Sequence, residues 1–275
     1  EEAIMAITNF IETVWSAALL EPFKSAQYLI PGVNHQYEGE LASGNTVKIT
    51  AITTPSIQNY ATARTLTIDA LADTTQSLVI NKEDAISFKV DDVDRVQSAG
   101  SFEPVVRDAA KALAENAELN LLADLKANGT SAGTAAVTTP ALAYAAVVAI
   151  RQALVKAKVP SSDRILAVSP EFASLLLGEA SKMTSFDPVG DSPVRNGVIG
   201  NMLGFTVVEH PLLTHTSNRP CAVGLHGPSV GYVGQIAKVE AGRMELAFAD
   251  YVRSLNIYGT KVLRPTAVQT YLPSA

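Results

Sequence analysis

The feature that most constrains this chain is a stretch of alternating apolar and polar residues between positions 39 and 94. The alternation predicts antiparallel strands around residues 47–49, 66–68, 78–80 and 86–90. Residues 53–63 are small, polar and turn-forming, with only Ile57 and Tyr60 as apolar anchors. A two-stranded excursion of this length has little core of its own, so we expect something outside it to hold it in place.

The composition predicts a folded chain without disulfide bonds. The protein has 275 residues, of which 47% are apolar and 17% are charged, and its formal net charge is −6. Its Lys and Arg residues are scattered singly, which disfavours tight electrostatic binding to nucleic acid but is compatible with a container for it. The single cysteine, Cys221, cannot close a bridge within the chain.

Two helical patterns stand out in the first half of the chain. Apolar residues at spacings of three and four over 7–28 predict an amphipathic arm that carries Trp15, the only tryptophan, and Phe23. The arm could dock on its own core or on a neighbouring subunit. A second pattern over 101–128 predicts a spine helix of about 35–40 Å, with Ser101 as N-cap and Asn128-Gly129 as its end.

The second half of the chain reads as mixed helix and strand. We predict a linker over 130–139, a helix over 142–158, a strand and helix over 164–177 and a loop over 182–195. Further strands are predicted over 204–210, 221–226, 229–238 and much of 246–262. No run reaches the roughly 18 to 20 apolar residues of a bilayer span, and the N-terminus is unlike a signal peptide, so we expect no membrane association and intracellular production.

Two sequence patterns could carry catalysis or metal binding. Residues 227–231 match the G-x-S-x-G pattern of hydrolases around Ser229. However, a strand pattern follows where a helix is needed, and no histidine lies beyond His226. A zinc site could be built from the ligand types His210, His215, Cys221 and His226. Their spacing lacks the paired chelating motifs of structural zinc sites.

No other motif supports an active site. Residues 197–204 are rich in glycine, but no Lys-Ser/Thr pair follows them, so we interpret them as a turn rather than a phosphate loop. Pairs of carboxylates suited to acid–base catalysis are also not evident. The sequence therefore predicts a protein that is not an enzyme and that has no cofactor and no metal.

The order of these elements resembles the major capsid proteins of tailed double-stranded DNA bacteriophages. Local strings at residues 5–11, 88–92, 164–171, 196–208 and 258–265 are similar to that family as well. The resemblance implies an α+β fold of the Hong-Kong-97-like type, with an N-terminal arm over 1–38 and an extended β-hairpin E-loop over 39–94. It also implies a peripheral domain over 95–138 and 229–275 that contains the spine helix, and an axial α/β domain over 139–228.

The resemblance further implies a shell protein that self-assembles through pentamers and hexamers into an icosahedral capsid around double-stranded DNA. It would be made in the bacterial host cytoplasm and reside in the virion. Only four residues precede Met5, so we expect a separate scaffolding protein together with a portal and, in some cases, a decoration protein. Some family members crosslink Lys to Asn, but the spacing of Lys82, Lys89 and Asn59 predicts no crosslink here.

Candidate subunit contacts and two rival functions complete the sequence-based expectations. The candidate contact residues are Trp15, Phe23, Ile57, Tyr60, Glu103, Arg107 and Arg264. The nearest rival function is an encapsulin-type nanocompartment shell, which resembles the same fold but holds cargo enzymes. The rival from another class is a hydrolase that uses Ser229 or the His/Cys metal set.

Overall fold

The computed structural model describes residues 28–38, 45–52, 55–58, 64, 68, 73–92, 103–177, 198–245 and 247–274. Within these ranges the helices are α1 (Glu103–Asn128), α2 (Pro140–Lys156) and α3 (Pro170–Leu176). The strands there are β1 (Thr46–Ile52), β2 (Asp73–Val79), β3 (Lys82–Asp91), β4 (Thr130–Gly133), β5 (Arg164–Val168), β6 (Val198–Met202), β7 (Phe205–Glu209), β8 (Ala222–His226), β9 (Val230–Arg243), β10 (Ala249–Val262) and β11 (Val268–Tyr271). The predicted arm before residue 28 and the loop over 182–195 lie outside the described residues.

Six strands form a mixed sheet, here called the central sheet, in the order β4-β11-β8-β5-β7-β6. The predicted strand and helix over 164–177 are present as β5 and α3, and the Ser169 hydroxyl caps α3 by accepting from the Phe172 amide. Side chains alternate along β8, so Ala222 packs with α2 and α3 while Val223 and Leu225 pack with α1. Helices therefore cover both faces of the central sheet.

Helix α1 confirms the predicted spine from Glu103 to Asn128, while the predicted N-cap Ser101 lies outside the described residues. It has 26 residues, which at 1.5 Å per residue gives a length of about 39 Å. Its buried stripe includes Leu113, Ala117, Leu121 and Leu125. This stripe packs against the central sheet on one side and against β10 on the other. None of the helices in the described ranges is long and apolar enough to cross a membrane.

The remaining strands form two smaller sheets among the described residues. Strands β3, β10 and β9 make a three-stranded antiparallel sheet, here called the peripheral sheet. Strands β1 and β2 pair only with each other, from Thr46 opposite Val79 to Ile52 opposite Asp73. The alternating stretch over 39–94 is therefore divided, because β3 pairs with β10 rather than with the β1–β2 hairpin. Ile68, in the predicted strand over 66–68, is not in a strand.

Two predictions about short segments are wrong. The predicted linker over 130–139 begins with β4, which runs parallel to β11 at the edge of the central sheet. The predicted turn over 197–204 is mostly strand β6, which returns as β7 through the two residues Leu203 and Gly204, both with positive φ. Pairing with the distant strand β11 makes β4 a strand, whereas β6 pairs with its immediate neighbour β7 in a hairpin, although the small and glycine-rich sequence favours a loop in both segments.

Residues 28–38, here called the strap, cross the junction between the two larger sheets. Leu29, Ile30 and Val33 are buried in the same apolar cluster as α1 and β8. The Asn34 amide donates to the Val230 carbonyl at 2.9 Å, and the Tyr232 amide donates to the Asn34 carbonyl at 3.0 Å. The strap is therefore fixed to the start of β9 by backbone hydrogen bonds as well as by apolar packing.

A buried carboxylate ties the strap to α1 and to the end of β7. Glu118 of α1 is 0% exposed, and its Oε1 accepts from the backbone amides of Tyr28 and Leu29, the latter at 2.7 Å. Its Oε2 lies 2.5 Å from Nε2 of His210, which follows β7 and is also fully buried. Because the Leu212 amide donates to Nδ1 of His210 at 3.2 Å, the ring proton resides on Nε2 and is donated to Glu118.

A second polar cluster joins α1 to the peripheral sheet. The hydroxyl of the buried Tyr258 donates to Asp84 at 2.7 Å, and Asn116 donates to the same carboxylate oxygen at 2.6 Å. Asn120 donates to the Tyr258 hydroxyl at 2.6 Å. Burial, followed by the neighbouring Asp84 carboxylate, raises the pKa of Tyr258, so this phenol stays protonated and remains a donor.

We expect Glu118→Ala to destabilise the subunit by about 3–5 kcal/mol, because it removes one partner of a buried, hydrogen-bonded pair. Urea unfolding of unassembled subunits, followed by circular dichroism, measures this loss. The matched control is Glu115→Ala, which removes a half-buried carboxylate one turn earlier on the same helix and is expected to cost less than about 1 kcal/mol. Equal losses in the two variants would contradict the role assigned to Glu118.

Candidate assembly surfaces

The β1–β2 hairpin has a packed base and an exposed remainder. At the base, Val47 and Leu78 are buried in a small cluster with Ile80 and Val233. The ammonium of Lys261 on β10 donates to the Ser77 carbonyl at 2.6 Å. Away from the base, most described residues of both strands are exposed. Within the described part of the hairpin, the packing against the peripheral sheet is thus concentrated at its base.

Gly259 of β10 lies directly beneath the base of the hairpin. A Cβ atom at this position would be 2.5 Å from the Val79 carbonyl oxygen and 3.0 Å from the Cα atom of Ile80. Only glycine allows the two backbones to approach this closely. The close approach fixes the height at which the hairpin leaves the peripheral sheet.

Two isoleucines beyond the paired strands are almost wholly open to solvent. Ile57 is 102% exposed and Ile68 is 95% exposed, and both lie in the segment that connects β1 to β2. Burying an aliphatic side chain of this size contributes about 1.5–3 kcal/mol. Two such side chains at the end of an element without its own core therefore form a candidate contact surface.

The turn between β9 and β10 presents a third apolar side chain. Phe248 is 79% exposed and Met244 is 38% exposed. Next to them, Arg243 forms an ion pair with Asp92 and lies 3.8 Å from Asp250, which connects this turn to the end of β3. Because the Arg243 side chain is solvent-exposed, each pair contributes little to stability, and their effect is to orient the turn.

The structure places the predicted contact residues in separate regions. Ile57 lies in the connection between β1 and β2, Glu103 and Arg107 lie in the first turns of α1, and Arg264 follows β10. Arg107 and Arg264 are exposed. Trp15, Phe23 and Tyr60 lie outside the described residues. The four candidates within the described ranges therefore do not form one site, and the role of all seven residues in subunit contacts stays a prediction.

Sequence reasoning did not identify Ile68 and Phe248 as exposed residues that could contact a neighbour. Both lie in segments with a strand-like pattern, in which an apolar residue is expected to face a core.

Sequence reasoning also missed the buried Glu118, although the sequence carries a signal for it. An acidic residue four positions after Ala114 and three before Leu121 falls on the apolar stripe of α1, where an uncompensated charge would be costly.

The histidines and the cysteine of the candidate zinc set each have a different environment. His210 donates to Glu118, and Nε2 of His215 lies 3.0 Å from the Pro273 carbonyl oxygen. Cys221 is buried, and burial raises the pKa of its thiol. Among the residues that the structure describes, no three His, Cys, Asp or Glu side chains are grouped to hold a metal. The zinc set is therefore not assembled.

Ser229 is hydrogen-bonded to a histidine but is not placed as a nucleophile. Its hydroxyl lies 3.0 Å from Nδ1 of His226, and both side chains are buried. Burial lowers the pKa of His226, so the ring is neutral near pH 7. Strand β9 begins at the next residue, Val230, so the strand–turn–helix geometry of a nucleophile elbow is missing at this position.

Comparisons with known proteins agree on one family. A family model described as phage capsid protein matches residues 73–271. A chain of Mycobacterium phage Che8 is 38% identical, with a TM-score of 0.80 over 89% of this chain and 90% of that chain. The capsid of cyanophage P-SCSP1u shares 17% identity, with a TM-score of 0.69 over 85% of both chains.

A virus-like particle from Pyrococcus furiosus also shares the fold, at 11% identity and a TM-score of 0.61 over 93% of this chain and 96% of that chain. No curated protein sequence matches this chain. The family match and the Che8 chain confirm the Hong-Kong-97-like fold expected from the sequence. They also point to a structural rather than an enzymatic role. The chain belongs to the phage capsid protein family and is a shell protein of a bacteriophage virion.

Proposed function

We propose that this chain is a major capsid protein that self-assembles through pentamers and hexamers into an icosahedral shell around a double-stranded DNA genome. The observation that carries the proposal is the β1–β2 hairpin, whose connecting segment exposes Ile57 and Ile68 and whose buried residues, among those described, lie at its base. An apolar element without a core of its own gains stability by lying on a neighbouring copy. Family membership supplies the context of a many-copy shell.

The proposed domain division follows the sheets. The peripheral domain would comprise α1 and the peripheral sheet, and the axial domain would comprise the central sheet with α2 and α3. Strands β4 and β11, which the sequence-based boundaries put in the peripheral domain, pair within the central sheet. We therefore assign β4 and β11 to the axial side.

The net charge suits a container whose wall does not bind its contents tightly. With 27 acidic and 21 basic residues, the chain attracts polyphosphate weakly if at all. Packaged double-stranded DNA would then be enclosed without sequence-specific contacts. The proposed partners are a separate scaffolding protein and a portal, with a decoration protein as a further possible addition, and synthesis is proposed in the host cytoplasm.

The first test is the content of the particles. Particles purified from phage-infected cells and treated with nuclease are expected to be closed and icosahedral by negative-stain electron microscopy. Their protected content is expected to be double-stranded DNA of uniform length. Closed particles that instead contain a protein cargo and no DNA would contradict the genome-container proposal and indicate a nanocompartment. The absence of particles under every condition would contradict the shell itself.

Deleting residues 54–62 is expected to leave a folded subunit that assembles poorly. The deleted residues lie in the connection between Ile52, the last residue of β1, and Asp73, the first residue of β2, and include Ile57. The paired residues from Thr46 to Ile52 are kept. Circular dichroism tests the fold, and size-exclusion chromatography with light scattering measures assembly. Normal shells from this variant would show that the hairpin does not contribute to assembly.

A finer test replaces only the exposed isoleucines. We expect Ile57→Gln combined with Ile68→Gln to raise the protein concentration needed for shell formation by at least about tenfold, which corresponds to a loss of about 1.4 kcal/mol for the two side chains together. The control is Thr50→Gln, at an exposed position on β1 of the same hairpin, which is expected to assemble like the wild type. An unchanged threshold in the double variant would remove these side chains from the interface.

A further inference from the structure

Helix α2 is apolar on both of its faces. Its inner face packs Ala143, Ala146, Val147, Ile150 and Leu154 in the core. On the opposite side, Leu142 is 44% exposed, Val148 is 40% exposed and Val155 is 54% exposed. With the exposed Ala145 and Gln152 between them, these residues are spaced by three, three, four and three positions, which places them on one side of the helix. This row of five residues is called the outer stripe.

The outer stripe differs from the exposed side of α1. The exposed positions of α1 include Arg107, Asp108 and Lys111, as expected for a helix in contact with water. By contrast, residues 140–150 of α2 contain no charged side chain. Single exposed apolar residues are ordinary, but a helix that is apolar all round is typical of one buried inside a larger structure. In the isolated subunit, the outer stripe is open.

We propose that the outer stripe is the docking surface for a second copy of this chain within the shell, an inference that rests on the proposed function. A copy is the partner favoured by charge. The charged side chains at the C-terminal end of the stripe are Arg151, Lys156 and Lys158, all positive, whereas the chain as a whole has 27 acidic and 21 basic residues. Another copy therefore carries more acidic than basic side chains, and acidic side chains are the ones that attract this positive end of the helix.

The position of α2 makes this contact independent of the hairpin contact. Helices α1 and α2 pack on opposite faces of the central sheet, as the alternating residues of β8 show. The β1–β2 hairpin belongs to the peripheral side, where its base contacts β10. In a closed ring of copies, one surface meets a different surface on the next copy. The outer stripe thus provides a lateral contact at the axial side of the subunit.

Solvent protection tests the proposal directly. A Val148→Cys variant is labelled with a maleimide, both in assembled particles and in unassembled subunits separated by size exclusion. The native Cys221 is buried and contributes little background. Labelling is expected to be at least tenfold slower in particles than in subunits. Equal rates in the two states would overturn the proposal, because position 148 would then be open in the shell.

A substitution test measures the contribution of the stripe. Val148→Gln combined with Val155→Gln is expected to keep the circular dichroism spectrum of the folded subunit and to raise the assembly threshold at least tenfold. The matched control is Leu119→Gln on α1, which is similarly exposed at 43% and is expected to assemble normally. Assembly of the stripe variant at the wild-type threshold, or equal losses in stripe and control variants, would overturn the assignment.

The two levels of inference fail in different ways. If the wild-type chain forms no particles under any condition, both the proposed shell and the stripe contact are wrong. If wild-type particles form and the stripe variant also assembles and binds neighbours normally, only the stripe contact is wrong. Loss of a co-purified scaffolding protein from otherwise normal shells would also overturn the proposed copy-to-copy contact, because the stripe would then serve a different partner.

Discussion

The carboxylate of Glu118 connects three parts of the subunit that are far apart in sequence. It receives hydrogen bonds from the strap about ninety residues earlier and from His210 ninety-two residues later, while its own backbone lies in the middle of α1. An apolar contact at this point would let the strap slide along the helix, since hydrophobic packing has little directional preference. Hydrogen bonds to successive backbone amides define one register for the strap, and unmet amides there would be costly.

The rest of the subunit divides into a packed centre and surrounding surfaces that expose apolar side chains. Helix α1 packs on the central sheet with its apolar stripe and holds the peripheral sheet through Asp84, Asn116, Asn120 and Tyr258. The β1–β2 hairpin, the β9–β10 turn and the outer stripe of α2 expose apolar side chains around this centre. Such a distribution suits a protein whose stability as a monomer and whose affinity for its neighbours come from different residues.

The sequence predicts the long elements of the fold better than the short ones. Helix α1 combines a start signal, a regular apolar stripe and an Asn-Gly stop, so its length is evident, and β5 followed by α3 has an equally clear pattern. Strands β4 and β6 and the C-terminal strand β11 have four or five residues each. Strands β4 and β11 form because partner strands far away in sequence are present, whereas β6 pairs with the adjacent β7 across a two-residue turn, and its glycine-rich sequence hides this pairing.

The candidate contact surfaces are only partly accessible to sequence reasoning. Ile57 could be selected because it is an apolar residue in a polar, turn-forming stretch. Phe248 and Ile68 could not, because their neighbours form a strand-like pattern that implies burial. The outer stripe of α2 is hidden for a related reason. A helix with apolar residues on every side gives no indication of which face meets the core and which meets a neighbour.

The base of the hairpin packs closely on Gly259 of β10, so a small rotation at this base produces a larger displacement at the far ends of β1 and β2. Each strand of the hairpin runs from Thr46 to Ile52 or from Val79 to Asp73, a distance of about 20 Å at 3.4 Å per residue. A rotation of about 10° at the base would then move the far ends of these strands by about 3.5 Å, roughly the width of one side chain. Small adjustments where Val79 and Ile80 rest on β10 are thus amplified at the far end. In the proposed shell, this amplification would let one subunit shape reach neighbours in positions of different curvature.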